Sequence, residues 1–166
     1  MCNRGDRYLG VVLLLLAALI TSGVAVADET KGTVSYKDKT ATLKYAYLVK
    51  GPDSMDPEII IRQVILSQTD LSADIQACTT LSCCTNNLTE GLTIDFDAGP
   101  RLNYWVVLNN QMVQYSGTQT VEALDATRNE PGQIAGTLFI DATASGGPKV
   151  EATFDATLLK EFKEAH

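Results

Sequence analysis

Hydrophobic positions recur every second residue through most of the chain beyond Lys31, and polar or turn-forming residues separate the alternating runs. A period of two sends successive side chains to opposite faces and predicts short antiparallel strands, each with one face buried. Residues 32–36 and 40–49 form the first pair, joined by a tight turn at Lys37-Asp38-Lys39, with Leu43, Tyr45, Tyr47 and Val49 expected on one face of the second strand. Gly51-Pro52-Asp53 ends it. The β-branched run Glu58–Ser67 is apolar on both faces, which predicts a central strand.

The period changes at Thr69–Cys78, where Leu71, Ile75 and Cys78 are spaced i, i+4, i+7 and Asp70 or Thr69 can cap a first turn. This predicts one short helix. Alternation returns at residues 91–99, with Leu92, Ile94 and Phe96 facing in and Thr93, Asp95 and Asp97 facing out. A hairpin turning near Asn109-Asn110 follows, then another around Ser145–Pro148, and residues 158–166 could add a frayed helical turn. About eight strands, one helix and no βαβ rhythm predict an all-β domain, an antiparallel β-sandwich or a small β-barrel, between which the pattern does not choose. The triplet Asp-Ala-Thr at 125–127, 141–143 and 155–157 is too short for a repeat unit and reads as similar strand ends.

The N-terminus departs from this pattern. Arg4 and Arg7 precede an apolar run from Leu9 to Ile20, then Thr21-Ser22-Gly23 and Ala25-Val26-Ala27. That order of charge, short apolar core and small-residue site predicts a signal peptide at 1–27 and one β-rich domain at 28–166, beginning at Asp28. The uncharged stretch from Tyr8 to Ala27 is also long enough for an uncleaved anchor, but its strongly apolar core is short, so cleavage is expected. Cys2 leaves with the peptide. Removal also takes Arg4, Arg7 and Asp6, moving the net charge from −7 to −8, so neither nucleic acid nor an anionic membrane is an expected partner.

At residues 31–53, 98–117 and 146–162 the chain resembles small exported bacterial β-rich proteins of uncharacterised function. The resemblance spans most of the domain and rests on strands and turns. It implies bacterial export, to the periplasm or the medium, and a β fold; it implies no activity.

Candidate chemistry is sparse. The one histidine is His166, the last residue, which leaves no internal Ser-His-Asp or Cys-His arrangement, and no cofactor fingerprint is present. Asp95 and Asp97 would leave one strand on the same side, as paired acids of a glycosidase or a cation site do, although the solvated face of any acidic strand shows the same spacing. If Leu102, Tyr104, Val106 and Leu108 face in, Trp105 faces out beside Asn103 and Val107, either as a contact residue or packed under a loop. Asn87-Leu88-Thr89 has the form of a glycosylation sequon, which bacterial export would make accidental.

Three cysteines survive processing: Cys78, Cys83 and Cys84. Export favours a disulfide, and a structural zinc site would lack its fourth ligand. Adjacent Cys83 and Cys84 reach disulfide geometry only with strain, while Cys78–Cys83 and Cys78–Cys84 both close a small loop. The preferred pairing is Cys78–Cys83, which leaves Cys84 as a buried free thiol or, if exposed, a link to a second chain. The expected function is that of an exported, non-catalytic β-domain that binds an envelope or extracellular partner or has a structural role. The alternatives are a barrel carrying an apolar ligand in a lumen lined by residues such as Tyr45, Tyr47 and Ile94, and a carboxylate-dependent enzyme.

Overall fold

A computed structural model describes residues 28–109 and 112–166, so the predicted signal peptide and Asn110 lie outside the described residues. The strands are β1 (Asp28–Tyr36), β2 (Lys39–Pro52), β3 (Ile60–Ser67), β4 (Glu90–Phe96), β5 (Arg101–Leu108), β6 (Val113–Thr120), β7 (Leu124–Glu130), β8 (Gln133–Asp141) and β9 (Lys149–Glu161). One helix, α1 (Ser72–Ala77), and a 3-10 turn at Leu81–Thr85 interrupt them between β3 and β4. The strands form a single sheet in the order β6-β5-β4-β3-β2-β1-β9-β8-β7, antiparallel at every neighbouring pair and curled into a half-barrel. Its two edges, β6 and β7, are consecutive in the chain.

The described residues hold nine strands against the expected eight or so because β7 carries no alternation: only Leu124 of its seven residues is buried. An exposed edge strand has little reason to show a period of two. The C-terminal helical turn is also absent. Residues 149–161 continue as β9, and Phe162 and Ala165 beyond it are buried.

Curling gives the sheet two cores. On the inner face Val64, Leu66, Leu92, Ile94, Tyr104 and Val106 belong to one cluster with Leu124, Leu138, Val150 and Phe154 from the opposite wing. Tyr36 at the β1–β2 turn meets Tyr115 of β6 with ring centroids 5.4 Å apart, although four strands lie between theirs in the sheet order. Gly117 permits the neighbouring contact: a Cβ there would lie 2.7 Å from the Tyr104 hydroxyl. At the other end of the half-barrel Arg62 of β3 grips Asp97 with Nε and Nη2 at 2.6 and 2.9 Å. The same guanidinium donates to the Asn129 side chain and the Glu130 carbonyl of β7, at 2.8 and 2.9 Å, joining distant strands.

The second core lies on the outer face. Tyr47, Val49, Ile61, Ile65 and Val107 are covered there by Leu71, Ile75, Cys78, Leu81, Cys84 and Leu88 of the segment between β3 and β4, and by Phe162. This cap explains why β3 is apolar on both faces. It also corrects one face assignment. Leu43 is in the inner core, whereas Tyr47 and Val49, with half-buried Tyr45, lie in the outer one, so β2 changes face between Leu43 and Tyr45.

Beside Asp28, β9 closes on β2. Asp28 pairs with Ala46, and two residues further along β2 Leu48 pairs directly, in parallel, with Leu158 of β9. The Asp28 carboxylate accepts the Thr157 amide hydrogen at that junction.

Candidate functional site

The cap does not cover the outer face completely. Between it and strands β3 to β6 a cavity of about 480 Å³ remains, a size that suits a small ligand. Its floor is set by register. Thr93 of β4 stands opposite both Ile65 of β3 and Trp105 of β5, and Asp95 stands opposite both Gln63 and Asn103. Gln63, Thr93, Asp95, Trp105 and Val107 line the cavity, while Leu81, Thr85, Asn86 and Leu88 supply the cap side.

Three contacts hold that cap wall. Tyr47 is buried on the outer face; its hydroxyl donates to the Asp70 carboxylate at 2.8 Å and accepts the Leu71 amide hydrogen at 2.7 Å. Asp70, one residue before the N-cap position, which Leu71 occupies without a side-chain cap, also accepts from the Ser72 amide, and these bonds hold its carboxyl below the usual range. Lys160 of β9 donates to the Gln76 and Cys78 carbonyls at the end of α1. The C-terminal tail completes the wall, where the Leu81 and Ser82 amides donate to the Glu164 and Ala165 carbonyls.

Cys78 and Cys83 form a disulfide with Cα atoms 5.6 Å apart. Cys84 is the buried free thiol, 2% exposed, and burial pushes it up to about 12 against the opposing influence of Lys160. It sits in the 3-10 turn of the cap. A thiolate is disfavoured there, and a chain-to-chain link through it would require the cap to open.

The two aspartates part company. Asp97 takes the left-handed conformation, φ 71°, and its carboxylate turns to Arg62. Asp95 stays on the outer face, only 9% exposed, and accepts a 2.7 Å hydrogen bond from Gln63 Nε2. The expectation that both face solvent therefore fails, because the cap buries the strand that carries Asp95. Burial pushes its carboxyl up to about 6; the Gln63 bond opposes the rise and nearby Asp53 adds to it. Among the described residues no Lys, Arg or His pairs with it. The other side of the Gln63 amide, Oε1, is buried without a hydrogen-bond partner.

Trp105 faces out as its alternation predicts, half-buried against the cavity. Tyr45, Tyr47 and Ile94 do not line one lumen: Ile94 fills the inner core and the tyrosines are on the other face. Gln63 was missed in the sequence, although it is the polar residue in the outward stripe Ile61, Gln63, Ile65, and an interrupted apolar stripe is a usable signal. Lys160 and Arg62 carried none, since their partners are remote in the chain. Among the described residues no group of three or more His, Cys, Asp or Glu is placed to hold a metal ion. Comparison with protein-family models, with curated proteins and with solved structures gives no match for this chain.

Proposed function

We propose that the protein is an exported, non-catalytic binding domain whose ligand site is the outer-face cavity beside Trp105. The cavity itself carries this reading. It joins a half-buried indole, a carboxylate and an amide in a recess whose walls mix apolar side chains such as Ile61, Leu81 and Leu88 with neutral polar ones such as Thr85 and Asn86, a concave site with polar groups placed to orient a ligand. A filled inner core favours this outer site over a lumen of the half-barrel, and the separation of Asp97 from Asp95 removes support for an acid pair. Export is supported by the Cys78–Cys83 disulfide, which persists in an oxidising compartment. The envelope or extracellular partner is then the source of the bound group.

Trp105 is the one tryptophan in the chain, so its emission reports the cavity directly. Soluble envelope and medium fractions titrated into the purified protein should shift or quench that emission saturably. Thr93→Tyr, which fills the floor opposite Trp105, should abolish the response while the circular dichroism spectrum stays that of a β protein. An equal response in the filled variant would remove the cavity as the site.

A further inference from the structure

Resting on the cavity as the binding site, we infer that its ligand is a cationic group, an ammonium or guanidinium such as a basic side chain of a peptide or an alkyl amine. Asp95 is a buried carboxylate in the cavity wall whose one hydrogen-bond donor among the described residues is a neutral amide. A buried charge without a counter-charge is costly, and structures normally pair it. Here the lining residues include no Lys, Arg or His, and Asp53 adds further negative charge nearby. The missing partner is a cation.

Trp105 supplies the second half of the recognition. It stands one register step from Asp95 on the same face of the adjacent strand. An indole face beside a carboxylate suits a cation that is attracted to the ring and ion-paired at its edge. Arg62, the nearest guanidinium along β3, alternates to the opposite face and is occupied by Asp97, so it does not neutralise the site. A neutral sugar would gain the stacking but would leave the charge of Asp95 unanswered. An anion would be repelled.

The cation should be held while Asp95 is ionised and released as the pH falls through about 6. Two other titratable groups surround the cavity. Asp53 lies on the β2–β3 loop, and His166 lies on the tail with Nε2 3.3 Å from the Ser54 carbonyl oxygen. β3, β4 and β5 present Gln63, Thr93, Asn103 and Trp105 to Asp95 and add no charge. Asp95→Asn and His166→Gln separate the contributions of these two side chains.

The test is a Trp105 fluorescence titration at pH 7.5 and pH 5 with N-acetylarginine amide and N-acetyllysine amide, against the uncharged citrulline and norleucine counterparts. The expected result is saturable binding of at least one cation, about tenfold or more tighter than its neutral counterpart. That preference should be lost in Asp95→Asn, weaken at pH 5, and keep its pH dependence in His166→Gln. Equal binding of charged and neutral probes would overturn the cation and leave the cavity as a site. A cavity that responds to envelope fractions but to none of these probes would overturn the cation class alone, and no response to either would overturn the site as well.

Discussion

Gln63 Nε2 donates to the Asp95 carboxylate at 2.7 Å, and this neutral contact stands where a buried carboxylate ordinarily finds a cation. Because the folded-state value is raised from 3.8 to about 6, the group favours the folded state only where it is protonated. That contribution is complete below about pH 4 and is lost as the pH rises through 6. Asp95→Asn keeps an acceptor for Gln63 without the charge, so it should stabilise the protein by up to about 3 kcal/mol at pH 7.5 and by almost nothing at pH 3.5. Urea denaturation of both proteins at the two pH values checks this; destabilisation at pH 7.5 would show that the charge is already compensated.

Arg62 should be the side chain on which closure of the half-barrel depends most. Arg62→Ala releases Asp97, Asn129 and the Glu130 carbonyl together, and a loss of about 2 to 3 kcal/mol is expected. Lysine cannot reproduce the fork, so Arg62→Lys should recover little. Amide hydrogen exchange should accelerate first at the Asn129 end of β7. Uniform acceleration across the sheet would instead mark Arg62 as a general stability residue with no special part in closure.

Tyr47→Phe removes the hydroxyl that joins Asp70 to the Leu71 amide. A buried amide is then left without its acceptor, at a cost of about 1 to 3 kcal/mol. Since those bonds anchor the cap, the cavity should loosen with it. Chemical denaturation gives the first quantity, and iodide quenching of Trp105 reports the second; unchanged quenching would separate the cap from the cavity.

The thiol chemistry should follow burial. In protein produced without residues 1–27, no thiol should react with Ellman's reagent under native, non-reducing conditions, and one should react after denaturation, from Cys84. Reduction of Cys78–Cys83 should cost about 2 kcal/mol on loop-entropy grounds. Native reactivity of one thiol would mean that the cap opens readily.

Strand order of burial was legible in the sequence where one face is wet and the other dry. Leu92, Ile94 and Phe96 point inward, Trp105 points outward, and Leu71, Ile75 and Cys78 bury one side of α1, all as their periods require. β7 was not legible, because an exposed edge need not alternate. The face change in β2 was hidden as well, since Leu43 and Tyr45 keep the spacing of a straight strand. For the site, the orientation of Trp105 could be read, but the burial of Asp95 could not: it depends on a cap folding back over β4, a contact that has no local signal in Asp95-Phe96-Asp97. The cap's attachment to Lys160 and the C-terminal tail is equally non-local.

A carboxylate held in the cavity wall without a counter-charge is the feature on which the binding reading turns, and it can be measured at one atom. Carbon-detected NMR titration of the Asp95 side-chain carboxyl should give a midpoint near 6 in the free protein, moving down when a saturating cationic probe is added. A midpoint near 4 in the free protein, unmoved by the probe, would show a solvated or already paired carboxylate and would contradict the account.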